Sequence, residues 1–293
     1  MAQIRSYLLK RPIVSFLGFA LLAFFITWVT GLPVVLSTHG DLVGINARHP
    51  VAHPLPIPFP LVVLLLVIGD YGPALAAVIV TAIESGRSGV RDLRLQFRRW
   101  RVGWAWFAAA LLIPIIVRLS ALAISVLRGG TTPHWFYAPQ PLFFSFIAFG
   151  PWGEELGWRG YAQPRLQQRF GALRASILVG TAWFLWHFWT SLTPAGASLN
   201  DTAHLIANPV WFMLLAESVL MAWLYNSTRG SLPIAWAFHA GINLGNQTVA
   251  ATADSFHYQI MLFCAAALVV ILVNGPRTLA RSKTEGTLQA VSV

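Results

Sequence analysis

The chain has 293 residues, of which 56% are hydrophobic and only 10% are charged. Together with a mean hydropathy of +0.64, this composition excludes an ordinary soluble globular protein and predicts an all-α, polytopic membrane protein. The net charge of +10 does not indicate nucleic-acid binding, because the basic residues are concentrated between the apolar segments. The single cysteine, Cys264, lies in an apolar segment, which excludes disulfides and thiolate metal clusters.

Several apolar stretches reach the roughly 20 residues that an α-helix needs to cross a bilayer. Proline, glycine and polar residues mark the connections between them. Three histidines in one connection, His39, His49 and His53, fit no face of a helix or strand, and we interpret them as loop residues. We interpret His204, in a later connection, as incidental. We predict about eight transmembrane helices, at residues 12–36, 61–83, 103–127, 141–169, 171–192, 209–225, 232–251 and 258–273.

The charge distribution predicts how the chain is oriented. Six arginines alternate with apolar residues within 84–102, a pattern that favours an amphipathic helix on an anionic membrane surface. With eight spans, 16 lysines and arginines fall on the side of both termini, and two, Arg48 and Arg128, fall on the opposite side. Because basic residues concentrate on the cytoplasmic side, we expect both termini to be cytoplasmic, in a bacterial plasma membrane.

We expect a single membrane domain over residues 1–293. Residues 12–140 would form its N-terminal helices, and residues 141–250 would form the core that carries its polar motifs. Residues 274–293 would form a polar cytoplasmic tail.

Two adjacent carboxylates, Glu154 and Glu155, end an apolar run and are followed by Arg159. Ionisable groups at membrane depth are costly, so such a cluster indicates a functional site by default. Glu155 and Arg159 are four residues apart and can pair on one face of a helix, which alone would only hold helices together. Glu154 points roughly 100° away from Glu155 and has no such local partner.

Three further polar residues, His187, His239 and Asn243, interrupt apolar helices. His239 and Asn243 are four residues apart and project from one helix face, and Trp183 is related to His187 in the same way. One interpretation is a polar network that only holds helices together.

The alternative interpretation is hydrolysis. A glutamate in an apolar environment can act as a general base on water, and a histidine across the cavity can hold that water. A second histidine and an asparagine can donate hydrogen bonds to the oxyanion of a tetrahedral intermediate. Other hydrolytic motifs, H-E-x-x-H and G-x-S-x-G, are absent from the sequence, and Asp70 has no second aspartate motif of the kind that aspartyl proteases need.

The order of these motifs resembles the CPBP family of intramembrane proteases, which includes CAAX prenyl endopeptidases and bacteriocin-processing, Abi-type relatives. The resemblance covers roughly residues 143–247. One departure is Trp183, where the family pattern usually has phenylalanine; since an aromatic ring is kept, we expect repacking. The matching stretches are GEELGWR at 153–159, WFLWH at 183–187 and HAGIN at 239–243.

The resemblance implies a role for each residue. Glu154 would activate water together with His187, and His239 and Asn243 would form the oxyanion site. Glu155, Arg159 and Trp183 would be structural or would position the substrate. The family has been described both as metalloproteases and as metal-independent glutamate proteases. We favour the glutamate mechanism, without a cofactor; a zinc enzyme would use Glu154, His187 and His239 as ligands.

Two alternatives come from other classes of protein. One is a membrane scaffold or bacteriocin-immunity protein that keeps the fold without proteolysis. The other is a small proton-coupled transporter that uses Asp70, Arg118, Glu154, Glu217 and the histidines, although the sequence shows no internal repeat of the kind common in transporters. The expected partners are membrane lipid and a peptide or lipidated-peptide substrate, with no nucleic acid. The sequence leaves open the natural substrate, the oligomeric state and the roles of Asp70, Arg118 and Glu217.

Overall fold

The computed structural model describes residues 11–37, 58–138, 150–188, 209–252 and 254–280. The predicted all-α fold is confirmed: these residues contain no β-strand, only an isolated antiparallel bridge between Phe136 and Val249. The predicted loops with His39, His49, His53 and His204 lie outside the described residues, as does most of the polar tail. The α-helices of the described part are α1 Pro12–Ser37, α2 Phe59–Asp70, α3 Gly72–Leu95, α4 Trp104–Leu127, α5 Gln163–Phe170, α6 Ala172–Trp186, α7 Val210–Ser227, α8 Leu232–Thr248 and α9 Ser255–Asn274.

The predicted continuous helix over 61–83 is wrong, because the chain breaks at Tyr71 into α2 and α3, which are bent by 48°. Pro73 explains the break: it has no N–H to donate, and its ring clashes with the carbonyl of the fourth residue before it. Proline is instead well placed in the first turn of a new helix, which is where α3 uses it.

The predicted amphipathic helix over 84–102 is not a separate helix. Its first part belongs to α3, which continues to Leu95 with a kink at Gly86, and a 3₁₀ turn follows at Gln96–Arg98. Gly86 has φ +63°, a backbone conformation that glycine adopts without steric cost.

The chain is a multi-pass membrane protein, but a count of about eight spans is not confirmed. Within the described residues, four helices are long and apolar enough to cross a bilayer, and the bent α2–α3 pair would make a fifth. The helices α6 and α8 have 15 and 17 residues, which is short for a span of roughly 20. Both are largely buried among other helices, so they contribute more to the protein interior than to a lipid-facing surface.

The interior consists of two main apolar clusters that share α6–α7 contacts at their boundary. One cluster packs α1 and α3 against the segment that carries the Glu-Glu motif, where the fully buried Phe19 ring contacts the fully buried rings of Trp158 and Tyr161. The other packs α4, α7, α8 and α9 around Phe238 and Phe263. The polar motifs therefore lie on elements that both clusters hold in place.

Hydrogen bonds join several basic connections at one end of the bundle. The Arg99 guanidinium donates to the Arg229 carbonyl at 2.6 Å, and the Ala172 amide donates to the Arg277 carbonyl at 2.8 Å. Asn226 ties these two pairs together through a 2.8 Å bond to the Thr278 carbonyl. Arginines that the charge pattern assigned to one side of the membrane are thus neighbours in space.

Candidate active site

The Glu-Glu motif lies where a helix changes its pitch. Residues 150–155 are α-helical, and the chain continues as a π-helix over Leu156–Ala162 before α5 begins. Single π-helical turns inside α-helices are often found at functional sites. A Cβ on Gly157 would lie 2.6 Å from the Pro73 carbonyl oxygen, so the absence of a side chain lets this segment pack directly against the start of α3.

Glu155 is the centre of a buried ionic chain. Its Oε1 accepts a hydrogen bond from Arg159 Nη1 at 3.0 Å and another from His239 Nδ1 at 2.9 Å. Glu155 and Arg159 are 1% and 0% exposed, so the pairing occurs out of contact with solvent. The predicted pairing of residues four apart is present, and the structure adds His239 from α8, which local spacing could not indicate.

Glu154 points into the same cluster from the neighbouring position. Its Oε2 accepts a 2.7 Å hydrogen bond from Trp183 Nε1, and its Oε1 lies 3.8 Å from His239 Nε2. His239 therefore has one ring nitrogen on Glu155 and the other facing Glu154. The two carboxylates diverge along the helix, but a single imidazole lies between them.

Trp183, on α6, contacts four members of the cluster: Glu154, Arg159, His187 and His239. Besides donating to Glu154, its ring lies 4.9 Å below the Arg159 guanidinium carbon and 5.4 Å from the His239 ring. Its carbonyl oxygen lies 2.9 Å from His187 Nδ1. The departure from the usual phenylalanine is thus more than repacking, because the indole N–H binds a carboxylate oxygen that phenylalanine could not reach.

His187 is the C-cap residue that follows α6, and it is half-buried. Because a carbonyl oxygen only accepts, the bond to the Trp183 carbonyl places the proton of the neutral ring on Nδ1. The other nitrogen, Nε2, then carries a lone pair that can accept a proton from water. His187 also interacts electrostatically with Glu154 and His239, which places it in the same cluster.

Asn243 follows His239 by one turn of α8 and is half-buried. Its side-chain amide makes no hydrogen bond to the rest of the described chain, so both of its donor hydrogens are unused there. The structure thus joins Glu154, Glu155, Arg159, His187, Trp183 and His239 in one network, and leaves Asn243 beside it on the helix that carries His239.

Two carboxylates that have no role in the predicted hydrolysis, Asp70 and Glu217, are close to this network. Asp70, at the end of α2, interacts electrostatically with Glu154 and His239, and its Oδ2 would lie 3.7 Å from a Cβ on Gly150. Glu217, on α7, interacts with Arg159 and His239. In the sequence, Asp70 and Glu217 are each marked only as an acidic residue inside an apolar helix. No local spacing connects either residue to the motifs.

The candidate zinc ligands Glu154, His187 and His239 are not grouped closely in the present arrangement. Within the described residues, no three His, Cys, Asp or Glu side chains come together in a way that could hold a metal ion. Both histidines direct Nδ1 to protein oxygens, which leaves Nε2 of each as the atom that a metal would use. His239 Nε2 is 3.8 Å from Glu154 Oε1, and Trp183 is bound to the other Glu154 oxygen. A zinc ion would therefore be held through Glu154 Oε1 and the two Nε2 atoms, once these come closer together than they are here.

Comparison with known proteins bears on the segment that contains the three motifs, from Glu154 to Asn243. Residues 133–245 match the family model described as type II CAAX prenyl endopeptidase Rce1-like. The chain is also 32% identical over 177 residues to a CAAX prenyl protease 2 from Methanococcus maripaludis. That alignment covers 55% of this chain and 63% of the Methanococcus protein. The resemblance that the motifs indicated is confirmed over this segment.

Proposed function

We propose that this chain is an intramembrane endopeptidase that hydrolyses a peptide bond with water activated by Glu154. The observation that carries the proposal is the buried network in which His239 lies between Glu155 and Glu154. This network assembles three sequence motifs from separate helices within the segment that matches the Rce1-like family. The similarity to a CAAX prenyl protease supports a peptide with a lipidated or CAAX-like terminus as the substrate.

The reaction begins with a water molecule between Glu154 and His187 Nε2. Glu154 takes a proton from this water, and the oxygen attacks the carbonyl carbon of the scissile bond. The carbonyl oxygen becomes an oxyanion, which receives hydrogen bonds from His239 Nε2–H and the Asn243 amide. Glu154 then gives the proton to the leaving amine as the C–N bond breaks, which restores the carboxylate.

Glu155 and Arg159 make this use of His239 feasible. The Glu155 carboxylate accepts from Nδ1 and stabilises an imidazolium, so that Nε2 can carry a proton toward the oxyanion; the buried aspartate of a serine-protease triad acts on its histidine in the same way. Arg159 fixes the Glu155 carboxylate in turn. We place the substrate near the cytoplasmic leaflet of a bacterial plasma membrane, since the motif-bearing segment leads into the basic end of the bundle.

The test is cleavage of a fluorogenic lipidated peptide by the purified, reconstituted protein. We expect Glu154→Gln to lower kcat by about 100- to 10,000-fold, the range that removal of a general base produces. The control is Glu84→Gln, which alters another buried glutamate, one held by Tyr161 and Arg165 outside the site. Correctly folded Glu84→Gln protein should retain the wild-type kcat.

Each protein is also assayed with and without a zinc chelator. Activity that survives chelation but is lost in Glu154→Gln supports a glutamate protease. Activity that the chelator abolishes and zinc restores contradicts the metal-free mechanism. A wild-type protein that cleaves no peptide in a broad lipidated and unlipidated panel contradicts proteolysis and leaves the scaffold or transport interpretation.

A further inference from the structure

A buried carboxylate on α7 has no part in the proposed reaction. Glu217 is 2% exposed and lies within a helix long and apolar enough to span a membrane. Its Oε1 has no hydrogen-bond partner among the described protein atoms. Burying a carboxylate without partners costs several kcal/mol, so such a residue is expected only where it interacts with something nearby.

Arg159 offers the complementary groups. Its Nη1 is used by Glu155, but Nε and Nη2 are buried and have no hydrogen-bond partner in the described part of the chain. Glu217 attracts Arg159 and His239 electrostatically, although it lies beyond the 4.0 Å of a direct ion pair. A buried acceptor without a hydrogen-bond partner therefore interacts with a cation that has two such donors, and a water molecule between them would satisfy all three groups.

The position of Glu217 is fixed by its neighbour. The Ser218 hydroxyl donates a 2.9 Å hydrogen bond to the Ser176 carbonyl on α6. Gly180, one turn further along α6, allows the close approach, since a Cβ there would lie 2.9 Å from Ser218 Cβ. The helix that carries Glu217 is thus locked to the helix that carries Trp183, and it also contacts the π-helical segment of Arg159.

We propose that Glu217 is a positioning residue that holds the second face of Arg159 through buried water. Glu217, Arg159, Glu155 and His239 then form one polar chain that ends at the imidazole facing Glu154. This inference rests on the proposed function, because these four linked side chains would orient His239 for the proposed reaction. It does not require Glu217 to touch the substrate.

We expect this row of four polar side chains to fix the orientation of the Arg159 guanidinium. A guanidinium held only through Nη1 can turn about that one bond, whereas one held on two edges is fixed in plane. A fixed Arg159 keeps Glu155 Oε1 directed at His239 Nδ1, and so keeps Nε2 in place. Misplacing a catalytic group by about 1 Å can cost on the order of 100-fold in rate.

The experiment compares Glu217→Leu, which removes all polar atoms, with Glu217→Gln, which keeps an acceptor of the same size. We expect Glu217→Leu to lower kcat roughly tenfold to 100-fold with KM nearly unchanged, and Glu217→Gln to recover a large part of that loss. Glu84→Gln serves as the control for altering a buried glutamate elsewhere. A kcat for Glu217→Leu within twofold of wild type, or equal losses in the Leu and Gln variants, would overturn the proposal.

A double-mutant cycle with Arg159→Lys tests the connection directly. If Glu217 acts through Arg159, the double variant should lose little more activity than Arg159→Lys alone, whereas independent residues would multiply their losses. The same cycle is measured on thermal unfolding in detergent, which needs no substrate. A wild-type protein that cleaves nothing would refute the proposed function, while additive shifts in unfolding would refute the Glu217–Arg159 connection.

Discussion

The indole N–H of Trp183 orients the Glu154 carboxylate, which a phenylalanine ring could not do. A hydrogen bond from a neutral donor to a buried carboxylate contributes about 1.5–3 kcal/mol, and here it also fixes which oxygen of Glu154 faces His239. A phenylalanine at this position would keep the ring contacts with Arg159 and His239 but lack this donor. The ring and the N–H therefore make separable contributions.

We predict that Trp183→Phe retains activity within about tenfold of wild type, because the ring still supports Arg159 and His239. Trp183→Leu removes both ring and donor and should lose on the order of 100-fold. The measurement is kcat and KM on the same lipidated peptide, with thermal unfolding as a control for folding. Equal losses in both variants would mean that the N–H, and not the ring, organises the site.

At the residue scale, the sequence predicts what is local. The spacing of Glu155 and Arg159 predicted their ion pair, because residues four apart on a helix are neighbours. The bonds of His239 to Glu155 and of Trp183 to Glu154 join residues 84 and 29 positions apart. No helical period relates residues so far apart in the sequence. These two contacts depend on how the helices pack.

At the scale of the elements, the position of the Glu-Glu motif depends on a close backbone contact. A Cβ on Gly157 would meet three atoms of Pro73 at 2.6–2.7 Å, two of them backbone atoms that cannot rotate away. Overpacking of this kind costs typically 1–3 kcal/mol. The apolar periodicity predicted the helices on both sides of this contact. It did not predict the break at Tyr71 or the π-helix, since each changes the hydrogen bonding within a segment that remains apolar.

We therefore predict that Gly157→Ala lowers the thermal unfolding midpoint in detergent and reduces cleavage by displacing the adjacent motif. Gly18→Ala is the matched control, since a Cβ at Gly18, in α1, meets nothing within 4 Å. Alanine there should stabilise the helix by about 0.5–1 kcal/mol. Unfolding of Gly157→Ala at or above the wild-type midpoint would contradict close packing at Pro73.

At the scale of the whole molecule, arginines in the connections between helices lie at two opposite ends of the bundle. Arg99, Arg229 and Arg277 lie in connections that are hydrogen-bonded to one another through Asn226 and its neighbours. Arg128 lies at the far end of α4, a 24-residue helix that begins just after Arg101. At 1.5 Å per residue α4 is about 36 Å long, which exceeds the roughly 30 Å of a hydrocarbon core.

This separation makes the proposed orientation testable with cysteines. In a background with Cys264→Ala, we introduce Arg277→Cys at the basic end or Arg128→Cys at the other, both exposed positions. If both termini are cytoplasmic, a membrane-impermeant maleimide applied to intact bacterial spheroplasts should label the Arg128→Cys protein, and should label the Arg277→Cys protein only after lysis. The basic residues would then face the side that the positive-inside rule requires. Labelling of the Arg277→Cys protein alone in intact spheroplasts would contradict this orientation and place the basic end of the bundle outside. Labelling of both variants would mean that α4 does not cross the bilayer.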